Sequence, residues 1–124
     1  MEMKFYRCRH CGQIVAVVKN TGVPLVCCGG KMQELVPGEV DASLEKHVPV
    51  YEVSGNTCHV RIGEIEHPMV DNHYIEWVVL QTKFGNQRKQ LKPGDKPEVC
   101  FKMCDGDMVV AVLAYCNLHG LWRK

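Results

Sequence analysis

No stretch of this 124-residue chain approaches the roughly 20 consecutive apolar residues that a membrane-spanning helix needs. It has no basic-then-apolar leader either, so the expectation is a cytoplasmic protein with no membrane association. Net charge is also scarce: 15 basic against 14 acidic side chains leave +1, which gives no reason to expect nucleic acid or a strongly acidic partner. No segment sustains an apolar period of 3.6, and there is no internal repeat or low-complexity tract, which argues against a helical bundle or a solenoid.

What the chain has in excess is cysteine, with eight thiols. Cytoplasmic glutathione and thioredoxin keep ordinary pairs reduced, so metal binding or redox chemistry is a better use for them than a disulfide scaffold.

The first 36 residues read as short strands broken by turns: "KFYRC", the knuckle "CRHCG", "IVAVV", the turn "NTG", then "PLVCCGG". Too few apolar residues lie here for a core, and units this small fold by binding a metal or by dimerising. Cys8-x-x-Cys11-Gly offers two thiolates on a turn whose amides can hydrogen-bond sulfur, and Cys27-Cys28 returns two more. Four thiolates suit tetrahedral zinc or iron. The adjacent pair departs from the usual two C-x-x-C knuckles, and neighbouring ligands should strain the tetrahedron.

After Pro37-Gly38, a linker signal, the texture changes to strand-sized apolar or alternating segments. Strands are expected near Val48 to Val53, Cys58 to Ile62, Tyr74 to Thr82, Val99 to Met103 and Val109 to Tyr115, with turns at Ser54-Gly55-Asn56, Gly85-Asn86, Pro93-Gly94-Asp95 and Asp105-Gly106-Asp107. Within Tyr74 to Thr82, Ile75, Trp77 and Val79 are expected to share one face. The spacing predicts a compact antiparallel β-sandwich.

Further possible ligands lie in this second part: His47 in "LEKHVPV", His67 and His73 in "HPMVDNHYIEW", and Cys116 with His119 in "YCNLHG". All fall at predicted strand ends, where loops of a sandwich converge. His10, inside the first knuckle, and His59, alternating with core positions, are not expected to be ligands. Cys58, Cys100 and Cys104 are expected to be buried free thiols on strands, although Cys100 and Cys104 could pair.

The knuckle and "CCGG" segment resembles desulforedoxin, and "EKHVPV", "HPM…HYIEW" and "YCNLHG" resemble the iron domain of superoxide reductase. The whole chain is similar to the two-iron desulfoferrodoxin family. The resemblance implies an all-β protein with a desulforedoxin-like domain over 1–37 and an immunoglobulin-like sandwich over 38–124. It implies one iron on Cys8, Cys11, Cys27 and Cys28, and a second on His47, His67, His73 and His119 with Cys116 as axial thiolate, leaving a sixth position for substrate. The family's reaction is one-electron reduction of superoxide to hydrogen peroxide, with rubredoxin or a comparable carrier as donor, in a homodimer. Lys46 matches a lysine that draws in the anion and organises proton delivery, and Glu45 a glutamate that closes onto ferric iron. Set against this are a plain electron carrier, which leaves the histidines unused, and a structural zinc module, which leaves the five-ligand pattern unused.

Overall fold

A computed structural model describes residues 2–124, which divide into two compact units with the boundary between Val36 and Pro37. In the first, β1 (Phe5–Arg7) lies between β2 (Ile14–Ala16) and β5 (Gln33–Glu34), both antiparallel to it; β3 (Val26–Cys27) and β4 (Gly30–Lys31) form a separate hairpin. Among its described residues only Phe5 and Cys8 are buried, so this unit has no apolar core to hold it.

The second unit opens with a single helical turn, α1 (Leu44–His47), and continues as an antiparallel sandwich of immunoglobulin-like architecture. One sheet has the order β10 (Glu98–Lys102), β7 (Thr57–Ile62), β6 (Pro49–Ser54). The other has β12 (Gly120–Arg123), β11 (Val109–Cys116), β8 (Ile75–Thr82), β9 (Gly85–Gln90). Alternation in β7 puts Cys58, Val60 and Ile62 inward, where they meet Val78, Leu80, Phe101, Val112 and Ala114. Pro37-Gly38 is not a free linker: Gly38 N donates to Leu121 O at 2.8 Å. No helix among the described residues is long and apolar enough to cross a membrane.

The structure corrects the sequence reading in three places. Ile75 does not share a face with Trp77 and Val79. Cys116 pairs with Ile75 and Tyr115 with Trp77, so Glu76 is an extra residue, and this bulge turns Ile75 onto the core side with Val78 and Leu80. Trp77 stacks on Tyr115 at 5.3 Å on the opposite face. Gly85-Asn86 begins a strand instead of forming the turn: Thr82 pairs with Gly85, leaving Lys83-Phe84 as the two-residue connection. Cys100 and Cys104 are exposed, and only Cys58 of the three spare thiols is buried. His59, which alternates with the core positions Cys58 and Val60, lies on the exposed face of β7 with Nε2 2.9 Å from Glu98 Oε2.

Candidate metal centres

The first cluster is built from two turns. Cys8 follows β1, and its backbone closes the knuckle through Cys8 N to Gln13 O (2.9 Å) and Gly12 N to Cys8 O (3.0 Å), the latter allowed by the positive φ of Gly12. The Cys11 amide donates to Cys8 Sγ at 3.4 Å. Opposite, Cys27 ends β3 and Cys28 adopts φ of +53°, a left-handed conformation costly for a residue with a side chain. That conformation lets two consecutive thiols face one point. Cys11 Sγ is 3.7 Å from Cys27 Sγ, which is 4.0 Å from Cys28 Sγ, and all four sulfurs lie within 4.8 Å of one another.

Such crowding makes the thiols compete for protons. The Cys11 amide is the chief cause that holds Cys8 down to about 6, while hydrogen bonding with Cys8 and Cys11 pushes Cys27 up to about 12 and raises Cys28 as well. A cation at their centre removes the conflict by taking all four as thiolates.

The second cluster gathers five side chains from separate elements at one end of the sandwich. His47 ends α1, His67 lies in the loop after β7, His73 precedes β8, Cys116 ends β11 and His119 sits in the turn to β12. The imidazoles form a closed four-sided ring. Centroids are 4.6 Å apart for His47–His67, 4.8 Å for His67–His73, 5.1 Å for His73–His119 and 4.9 Å for His119–His47, each neighbour edge-on to the next. His47 and His73, across the ring, are 6.3 Å apart.

Ligand atoms of His47, His67, His73 and Cys116 lie within 4.8 Å of one another. His119 is outside that mutual set but joins the group through Nδ1, 3.1 Å from His47 Nε2 and 3.8 Å from Cys116 Sγ. Cys116 is fully buried and belongs to the core cluster, so its sulfur reaches the ring from the protein interior.

Backbone carbonyls fix which nitrogen faces inward. His47 Nδ1 donates to Ser43 O at 2.6 Å and His67 Nδ1 to Pro68 O at 2.7 Å, leaving each Nε2 as an acceptor. Burial is the main cause lowering His47, His67 and His73 from the ordinary imidazole range, His67 to about 4, so these rings are neutral near pH 7. Burial likewise pushes the Cys116 thiol up.

Do these residues fit iron? His67 Nε2 and His73 Nε2 are buried without any hydrogen-bond partner. Unsatisfied buried nitrogens are costly, and two of them facing a third imidazole nitrogen and a thiol are best explained by a shared cation. Four imidazoles and one thiolate exceed the four-coordinate preference of zinc and suit iron. The four-sulfur site fits iron equally.

Glu45 and Lys46 precede His47 on α1 with exposed side chains. The Lys46 charge disfavours protonation of both His47 and His73, a smaller influence than their burial. Glu45 is not among the clustered ligand atoms; its carbonyl accepts from Ile65 N at 3.0 Å.

Supporting residues escaped the sequence reading. Asn117 accepts from Tyr74 N at 2.9 Å through its side chain, donates to Asn72 O at 3.1 Å, and links its own N to Tyr74 O at 3.2 Å. It thereby ties the loop bearing His73 to the turn bearing Cys116 and His119. Trp122 donates from Nε1 to His119 O at 3.0 Å and lies 5.0 Å from the His47 ring. The only signal for Asn117 was its place between Cys116 and His119.

Fold and site together define a two-unit metalloprotein with a tetra-thiolate cluster and a separate imidazole–thiolate cluster. The chain belongs to the desulfoferrodoxin family: the desulfoferrodoxin model matches residues 39–124 and its N-terminal domain residues 1–35. It is 44% identical over 123 residues to the desulfoferrodoxin of Syntrophotalea carbinolica, covering 99% of this chain and 96% of that one. It is 45% identical over 124 residues to the desulfoferrodoxin of Nitratidesulfovibrio vulgaris, covering 98% and 95%. Among solved structures, the superoxide reductase from Treponema pallidum is similar across 100% of this chain and 99% of that one, with 35% identity and a TM-score of 0.85.

Proposed function

We propose that this protein is a superoxide reductase that converts superoxide to hydrogen peroxide by one-electron reduction in the cytoplasm, with electrons from a rubredoxin-type carrier. The observation that carries the reading is the closed ring of four imidazoles against one buried thiol, with two ring nitrogens unpartnered. His47, His67, His73, His119 and Cys116 would hold the iron, which when bound would supply the one-electron chemistry, with the carrier as the source of electrons.

The chain's own residues supply the rest. Neutral imidazoles with one thiolate leave a ferrous site with about one net positive charge by addition of ligand charges, which favours an anionic substrate. Because Cys116 enters from the core, substrate approaches from the solvent side, where Lys46 adds a second positive charge. The Lys46 ammonium attracts the anion and orders water that delivers protons to departing peroxide. Glu45, on the same exposed turn, offers a hard carboxylate oxygen for the oxidised site. In the first unit the exposed side chains of Val18, Val23 and Val26 support a homodimer formed through that unit.

The test is stoichiometric. Superoxide generated by pulse radiolysis in the presence of the reduced, iron-loaded protein should yield one peroxide per superoxide consumed, with no oxygen evolved. Oxygen evolution at half the superoxide consumed would identify a dismutase instead.

A further inference from the structure

The segment leading from β7 to His67 packs against the backbone of α1 more closely than a side chain permits. A Cβ placed on Gly63 would lie 2.5 Å from Glu45 O, 2.9 Å from Lys46 C and 3.0 Å from Val48 O. All three are backbone atoms, so none can swing aside as a flexible side chain would. Gly63 does not need a positive φ; its requirement is one of space.

Two residues further on, Ile65 N donates to the same Glu45 O at 3.0 Å. His67 N then donates to Ile62 O at 3.0 Å, closing the loop. The loop that delivers His67 and the turn that delivers Glu45, Lys46 and His47 are thus joined at one carbonyl. Glu45 and Lys46 have exposed side chains, so the path of their backbone is the main determinant of where those groups stand.

We infer that Gly63, together with the Ile65 amide, is a positioning residue for the second centre: it seats α1, fixing the backbone that carries Glu45 and Lys46 and bringing the His47 ring to 4.6 Å from that of His67. The kinetic consequence rests on the superoxide reductase reading; the spectroscopic consequence does not. Gly63 carries no side chain to offer the cluster and acts through the backbone of α1 and of Val48.

The experiment uses full-length protein loaded with iron. Gly63→Ala should bind iron at both centres yet show a shifted thiolate-to-iron band at the oxidised second centre, with the tetra-thiolate spectrum unchanged. Its second-order rate with superoxide should fall by about tenfold or more, as small misplacements of reacting groups do, and should depend less steeply on salt. A second pair isolates the amide: Ile65→Pro removes the donor to Glu45 O and should reproduce the band shift, whereas Ile65→Ala keeps the donor at a half-exposed position and should match the unsubstituted protein. If Gly63→Ala does not fold, the Ile65 pair decides. An unchanged band in both Gly63→Ala and Ile65→Pro, or equal shifts in Ile65→Pro and Ile65→Ala, would overturn the inference. Absence of superoxide reactivity in the unsubstituted protein would refute the functional reading, while the band comparison would still judge Gly63.

Discussion

The two metal clusters are built in opposite ways. The first draws its ligands from two turns between Cys8 and Cys28, in a unit whose buried residues, among those described, are one ligand and one phenylalanine. The second collects ligands as far apart as His47 and His119, 72 residues, at the end of a sandwich with its own apolar core. The difference teaches where the free energy of each site comes from. The first unit has no apolar core, so bound metal should supply most of the free energy that holds its hydrogen-bonded turns in place. The second is ordered by the apolar core and by carbonyl and Asn117 contacts that do not themselves require metal.

Metal removal should split the molecule along this line most strongly. Chelation of the reduced protein should abolish dispersed amide signals from residues 2–36 and leave those of the sandwich in place; simultaneous loss of both sets would contradict the contrast. Next in size, Leu80→Ala, which empties a fully buried core position, should destabilise the sandwich by about 2–5 kcal/mol in urea unfolding while leaving the tetra-thiolate spectrum intact.

Asn117→Ala should weaken metal affinity of the second centre alone, by roughly 10–100-fold as for other groups that orient ligands. Competitive chelation followed by the two visible spectra measures this, and equal weakening of both centres would count against it.

A pH effect should follow from the buried imidazoles. Their folded values lie below the ordinary 6.5, so the unfolded chain binds more protons in this range and stability rises with pH. The metal-free sandwich should therefore be most stable above pH 6.5 and lose stability as pH falls toward about 4, the value for His67. Urea midpoints across that window check it, and a flat profile would show that the rings are not held neutral by burial. The smallest expected effect is Lys46→Ala, which should slow reaction with superoxide by roughly tenfold at low salt and less at high salt; a uniform decrease at all salt concentrations would remove steering from the account.

The two regions also differed in how far the sequence revealed them. The four-cysteine segment was legible because its chemistry is local: C-x-x-C-G and C-C-G-G each complete a turn. The sandwich strands with alternating or continuous apolar residues were legible too. β9 was not, since Gly85 to Gln90 is entirely exposed and begins with residues that favour turns. The bulge at Glu76 could not be read either, because register depends on the partner strand β11 and not on the alternation of β8 itself. The His and Cys residues of the second cluster stood out by type, but the contacts that hold them did not. Ser43 and Pro68 act through carbonyls that any residue carries, and Gly63 acts by lacking a side chain.

The most direct test of the central claim, that the second cluster is a redox iron centre held by Cys116, is an iron count with visible spectra before and after mild oxidation, in the unsubstituted protein and in Cys116→Ser. The account predicts two irons per chain and a thiolate-to-iron band that appears on oxidation, with the band absent from Cys116→Ser and the tetra-thiolate spectrum kept. The same oxidation-dependent band in Cys116→Ser, or a single iron per chain after reconstitution with Fe(II), would contradict it.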